Sequence, residues 1–349
     1  MTPKKLALLI ATAVALVGIA YFSAQRNTLR TPAAHGRKIF PDLDVSQVAA
    51  IEIDRPAGDT FALAATDAGW TIASLHGYPA DIAKIRANVL KLADLKAGHT
   101  ATARAMTDPT TVRLMDDAGN VLAELALGEQ RLSKPADDMQ GFGGYPDGRY
   151  VAVGGSDAVF LVDDALSTLD GDAADWADMQ IPSPSGSTLQ AIEVSSPDTE
   201  LALVKVDGAW TLTDLGEDEE METSKTYGLD SALSYLHFNG IADPALTDEA
   251  LGLATGTVYR AVYADGVTYT ARVGGPVASQ ADRAFRIAAS FAPVGTNAAE
   301  NAAAEMKAAD FNAKTARWTY FVSPYTADKF ALDRADLAKP KTEPETAVE

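Results

Sequence analysis

Short alternations of apolar and polar residues dominate the chain, and helical spacing replaces them in only a few places. Val48, Ile51 and Ile53 give the stretch Phe40 to Asp54 the β-branched positions of a first strand. Pro56-Ala57-Gly58-Asp59 turns the chain, Phe61-Ala62-Leu63 returns it, Asp67-Ala68-Gly69 turns it again, and Trp70-Thr71-Ile72 makes a third strand. The spacing then changes to three and four at Ile82, Ile85, Val89, Leu92 and Leu95, which predicts an amphipathic helix. Pro79 suits its first turn, Asp81 complements the helix dipole, and Gly98 fits a left-handed closing position. Such a helix buries its stripe on a sheet, and the meander before it is the obvious partner.

Alternation resumes in Thr111 to Gly128 about an Asp-Ala-Gly-Asn turn, predicting a hairpin. A loop rich in Pro, Gly and Asp follows from Ser133 to Gly148, then a hairpin from Arg149–Val153 and Ala158–Val162, then a short helix and connection from Asp163 to Trp176.

From Leu189 the pattern returns. Ile192-Glu193-Val194 matches Ile51-Glu52-Ile53, Trp210 matches Trp70, and Leu229, Leu233 and Leu236 match Ile85, Val89 and Leu92. The hairpin Val258 to Gly275 and the run Thr319–Val322 continue the series in the same order. Five elements in one order predict a unit used twice, Gly69–Gly98 and Gly208–Gly240 being its Trp-strand, turn and glycine-closed helix. Both tryptophans, at equivalent strand positions, are expected in the cores. Gly295 to Lys314 is an Ala-rich insertion that predicts a short helix, and Lys339 to Glu349 a disordered charged tail.

The first 22 residues change the picture. Lys4 and Lys5 precede an uncharged apolar run from Leu6 to Phe22, which with Ser23 and Ala24 can cross a bilayer of ~30 Å. Tyr21 and Phe22 crowd the place where a signal peptidase site wants small residues, so an uncleaved anchor is preferred. The fold class expected is α+β: an N-terminal transmembrane helix followed by two related antiparallel-sheet-plus-helix units in a tandem pseudo-repeat. The boundaries read as an anchor at 1–24, a linker at 25–38, units at 39–180 and 181–337, and a tail at 338–349. Basic residues on both sides of the span leave its orientation unsettled by charge. A short tail before a long acidic domain places the folded part outside, in the periplasm of a Gram-negative cell, on a single-pass inner-membrane anchor.

A net charge of −19 argues against nucleic acid as a partner and disfavours resting on anionic lipid. The absence of cysteine excludes disulfides, thiol catalysis and thiolate metal sites.

Several stretches together resemble the DUF4340 family of uncharacterised bacterial envelope proteins: FPDLDVSQVAAIEI, GWTIASLHGYPADIAKIRANVLKLADLK, VLAELALG, VFLVDDAL and DWADMQIPSPSGSTLQAIEV. The resemblance runs over roughly Lys38 to Trp210 and is weaker beyond. It implies an envelope location and, from relatives linked to gliding-motility-type ABC transport, a membrane complex as partner. It implies no catalytic motif.

Candidate chemistry is sparse. The four histidines, His35, His76, His99 and His237, include no pair at helical metal-ligand spacing. No nucleophile elbow, Walker A loop or dinucleotide fingerprint occurs, and Gly141–Tyr145 lacks the lysine and helix start of a phosphate cradle. Asp170, Asp172, Asp175 and Asp178 lack EF-hand spacing and read as a solvated connection, and Glu217–Glu220 as a charged loop. The expectation is therefore a protein that is not an enzyme, with no catalytic, cofactor or metal residues. It would be an accessory or scaffold subunit beside integral membrane proteins such as an ABC-type permease. The alternative is a binding module for a glycan, peptidoglycan fragment or peptide.

Overall fold

A computed structural model describes residues 36–56, 58–101, 105–133, 144–154, 158–278 and 280–341. The protein is mixed α+β, built on antiparallel sheets with few helices. It divides into two units. The first runs to Ser74 and resumes over Pro79–Trp176; the second takes Leu75–Tyr78 and the chain from Ala177 onward. Among the described residues no helix is long and apolar enough to cross a membrane, and the run Leu6–Phe22 read as an anchor lies outside them.

The strands of the first sheet are β1 (Ala50–Asp54), β2 (Thr60–Thr66), β3 (Gly69–Ile72), β4 (Tyr78–Pro79), β5 (Thr100–Ala101), β6 (Thr110–Met115), β7 (Val121–Leu132), β8 (Pro146–Val153) and β9 (Val159–Val162). Their order is β4-β3-β2-β1-β6-β7-β8-β9-β5. The meander and both hairpins follow the predicted alternation: Ile51 and Ile53 of β1 and Val112 and Leu114 of β6 are fully buried, with polar neighbours between them.

Helix α1 spans Ile82–Asp94. Its N-cap is Asp81, whose carboxylate accepts from Ala83 N and Lys84 N at 2.8 and 3.3 Å; Pro79, expected in the first turn, instead ends β4. Ile85, Val89 and Leu92 form the buried row as expected, but Ile82 is 54% exposed. Gly98 does not close the helix in a left-handed conformation. A Cβ there would come within 2.1 Å of the Leu161 carbonyl oxygen, so glycine is required by the approach of two backbones.

In the second unit the strands are β10 (Leu189–Ser195), β11 (Glu200–Val206), β12 (Ala209–Leu212), β13 (Glu219–Met221), β14 (Gly240–Ile241), β15 (Thr257–Tyr263), β16 (Val267–Val273), β17 (Arg283–Phe291), β18 (Tyr320–Val322) and β19 (Ala338–Pro340). Eight of them form a sheet in the order β12-β11-β10-β15-β16-β17-β18-β14. β13 and β19 pair separately, Glu219 opposite Pro340 and Met221 opposite Ala338. The start of the stretch expected to be a disordered tail is thus a strand.

The second amphipathic helix, expected over Leu229–Leu236, does not form. Only α2 (Thr223–Thr226) and a 3-10 turn at Leu229–Ser231 occur, because Gly228 and Tyr235 both take left-handed backbone angles that interrupt a helix. Leu229, Leu233 and Leu236 are buried all the same. The Ala-rich insertion is α3 (Ala298–Thr315), capped by Asn297 and fixed to β17 by Asn312, which both donates to and accepts from the Ala289 backbone at 2.7 Å. Two short helices, α4 (Pro324–Asp328) and α5 (Arg334–Leu337), complete the unit. Tyr78 joins its aromatic core, with ring centroids 5.0–6.4 Å from Trp318, Phe238 and Tyr320. Burial, reinforced by Asp178, pushes the Tyr78 hydroxyl up to about 12.

Candidate functional site

Two large apolar side chains of α1 are exposed, Ile82 at 54% and Leu90 at 46%. Ile82, Arg86 and Leu90 stand one turn apart at i, i+4 and i+8 and form an outward row beside the buried one. Opposite this row a 3-10 turn, Val45–Gln47, is held by Asp44, whose carboxylate accepts from Ser46 N at 3.0 Å, Ser46 Oγ at 2.6 Å and Gln47 Nε2 at 3.2 Å. Those bonds, the Ser46 hydroxyl foremost, keep Asp44 below the usual carboxylate range. Between turn and helix lies a groove of about 320 Å³, lined by Val45, Val48, Trp70, Ile82, Ile85, Arg86, Val89 and Leu90. Seven of these eight residues are apolar, so the groove can take up hydrocarbon and has one cation, Arg86, at its rim.

Trp70 was expected in the core; it lies half-buried in the groove wall instead. Its cross-strand partner on β2 is Ala65, which is too short to cover an indole. Trp210 of β12 is only 7% exposed. Its cross-strand partner is Lys205, whose ammonium sits 5.0 Å from the indole centroid and is paired with Asp230.

Several charged side chains elsewhere are paired with one another. Arg149 is buried, donating Nη2 to Asp170 Oδ2 at 2.6 Å and Nε to the Gly128 carbonyl at 2.9 Å, while Thr110 Oγ1 donates to Asp170 Oδ1 at 2.6 Å. Arg113 bridges Glu52 and Glu124 at 2.6 and 2.8 Å. Lys307 pairs with Asp265.

The run of four aspartates is brought to separate partners: Asp170 to Arg149, Asp172 to Arg55, Asp175 to the Asp172 N–H, and Asp178 to the Gln180 N–H. Among the described residues no three metal-ligating side chains come together. Glu217–Glu220, read as a free charged loop, is tied to the C-terminal strand: Arg334 contacts Glu219 at 2.6 and 3.0 Å, and Lys339 reaches Glu220 and Glu222 at 3.6 and 3.0 Å. His76 and His237 are exposed, and His35 lies outside the described residues. His99 lines a polar cavity of about 650 Å³ in the first unit, together with Thr107, Glu129 and Tyr150.

The model of a family described as a domain of unknown function, DUF4340, matches residues 70–255, just over half of the 349. The chain belongs to the DUF4340 family. No curated protein and no solved structure is significantly similar to it. The DUF4340 match begins at Trp70 and continues well past Trp210, where the sequence resemblance was expected to fade. It takes in β3, α1 and the groove's helical wall, but leaves out Val45 and Val48 on the opposite wall. Sequence reasoning missed the groove because it counted Ile82 and Trp70 as core. The signal was present in the second apolar row of α1, where Leu90 follows Ile82 by eight residues with no role in the buried stripe.

Proposed function

We propose that this DUF4340 protein is a non-enzymatic, membrane-anchored envelope protein acting as an accessory or scaffold subunit of a membrane complex, an ABC-type transport system being the first to test. One observation carries the reading: the first unit leaves an apolar groove open on its surface, while its strongest polar constellations are spent on internal pairs. A surface of that kind works when it is covered. The uncharged run Leu6–Phe22 supports the anchor, and a periplasmic location follows from the same reading.

We also infer that the two units derive from one duplicated unit. This is supported by their shared strand order, β3-β2-β1-β6-β7-β8-β9-β5 in one and β12-β11-β10-β15-β16-β17-β18-β14 in the other. The cross-strand pair Glu52–Arg113 of the first unit has its match in Glu193–Arg260 of the second.

The competing reading, a binding module for a glycan or peptide, draws on the polar cavity at His99, Glu129 and Tyr150. Extraction of native membranes in mild detergent followed by pull-down of the full chain separates the two. Stoichiometric co-purification of integral membrane proteins, with no retention on peptidoglycan or glycan supports, is the outcome expected. Recovery of the chain alone, retained on peptidoglycan and released by Glu129→Gln, would replace the scaffold reading with the binding one.

A further inference from the structure

Three features of the first unit converge on one face of α1. The outward row joins apolar ends, Ile82 and Leu90, to a cation, Arg86, with the half-buried indole of Trp70 in the groove behind. Residues 81–96 carry Lys84, Arg86, Lys91 and Lys96 against Asp81 and Asp94, a net of +2 in a chain of −19; Lys91 is paired with Asp164 at 3.1 Å, and Arg86 and Lys96 are exposed. Arg37 and Lys38 add two more, and they lie at the same place. Gly36 N donates to the Ala97 carbonyl at 2.7 Å, Ile39 N to Leu95 at 2.8 Å, and Lys38 pairs with Asp94 at 2.7 Å. The chain that arrives from the apolar run therefore comes in at the C-terminal end of α1. Only 13 residues, 23–35, separate Phe22 from Gly36, a reach of at most about 45 Å.

We propose that the α1 face lies on the bilayer surface, with Ile82, Leu90 and Trp70 in the headgroup–acyl boundary and Arg86 and Lys96 against anionic headgroups. This rests on the anchor reading above and names what covers the groove. The composition is that of an interfacial helix, aliphatic and indole side chains on one side with Lys and Arg beside them. The positive charge of Arg86 and Lys96 complements an anionic leaflet, whereas the acidic remainder is repelled by it, which favours turning this face inward. A tether of this length holds the face at high effective concentration near the membrane, which makes a weak contact sufficient.

The absence of cysteine supplies the test. Single Ile82→Cys, Leu90→Cys and, as an exposed control in the same unit, Val121→Cys variants of the full chain carry a polarity-sensitive fluorophore. Each is reconstituted into vesicles of phosphatidylcholine, alone or with phosphatidylglycerol. The Ile82 and Leu90 probes should shift to the blue and be quenched by brominated acyl chains on the anionic vesicles, less so on the neutral ones, while the Val121 probe stays solvent-like. Arg86→Gln and Lys96→Gln should each weaken that contact by about fivefold, as loss of one surface cation predicts.

Probes at Ile82 and Leu90 as wet as Val121 on anionic vesicles would overturn the proposal. So would a shift that follows protein density rather than lipid charge, which would assign the groove to a second copy. The anchor is scored separately, by retention of the chain after a high-salt wash. Loss in the wash defeats the anchor reading, and the probe signal before the wash still decides this one.

Discussion

Trp70 and Trp210 occupy the same place in two sheets and meet opposite fates. Each lies on the third strand of a meander, directly across from the strand before it. Across from Trp210 the long stem of Lys205 lies over the indole, with Asp230 holding its ammonium, and the ring is closed off from water. Across from Trp70 stands Ala65, and the uncovered ring becomes a groove wall. The helices follow the same division. The first unit follows its Trp strand with a 13-residue helix that carries a spare apolar row, the second with two broken turns whose leucines are all buried. A Trp in an alternating strand is thus made core or surface by its cross-strand neighbour, not by its own position.

The largest expected effect tests that statement directly. Trp210→Ala should destabilise the second unit by about 3–5 kcal/mol, as removal of a buried Trp does. Trp70→Ala should cost the first unit no more than about 1–2 kcal/mol. Because the chain has two units, amide exchange of β11–β12 and of β2–β3 should be followed separately. Equal losses would break the comparison. Ala65→Lys would sharpen it, since a lysine stem across from Trp70 should reduce quenching of that indole by acrylamide.

A second pair of positions contrasts less strongly. Arg149 faces Val162 across β8–β9, and Arg283 faces Val322 across β17–β18. Arg149 is buried with the Asp170 carboxylate and the Gly128 carbonyl as partners, whereas Arg283 donates to the Ala281 carbonyl at 3.4 Å. Arg149→Ala strands a carboxylate that is about one-third exposed, so the 3–5 kcal/mol of a fully buried broken pair falls to about 2–3 kcal/mol. Arg283→Ala should stay within about 0.5 kcal/mol. Thermal unfolding of the two variants against the parent chain measures both, and a larger loss from Arg283→Ala would refute the assignment.

How much of this was legible from the sequence depends on the range of the interaction. Period-two runs such as Thr111–Gly128 and the Asp265-Gly266 turn carry their own instructions, and the strands form where the alternation put them. Ile85, Val89 and Leu92 as the buried row of α1 were equally local, although the helix starts after Asp81 and not at Pro79. Several of the misplacements involve a partner distant in sequence. Gly98 is small because of Leu161, and Ala338–Pro340 is ordered because of Glu219–Met221. Leu229–Leu236 is broken by Gly228 and Tyr235, yet still buried by the sheet it covers. The groove belongs to the same class, because Val45 and Val48 face α1 from some 40 residues away.

The smallest effect expected concerns a feature that, among the described residues, only the second unit has. β13 and β19 are held by Arg334 on Glu219 and by Lys339 on Glu222. Hydrogen bonds, from Arg334 first and the Gly216 N–H second, bring Glu219 down to about 2. Glu222 also falls to about 2, through Ser224 first and then Lys339. Carboxylates depressed in the folded state stabilise it fully above their unfolded value near 4.5, and that stabilisation is lost as pH falls through the folded value near 2. The β13–β19 pair should therefore loosen between about pH 4.5 and 2. Side-chain carboxyl NMR titration should give midpoints near 2 for both residues, with the Ala338 methyl signal reporting the loosening. Arg334→Gln should return the Glu219 midpoint toward 4.5 and leave Glu222 where it was, because Lys339 and Ser224 remain in place. Midpoints of about 4.5 in the parent chain would mean that these ion pairs do not hold the strand, and that packing of the buried Leu337 just before it does.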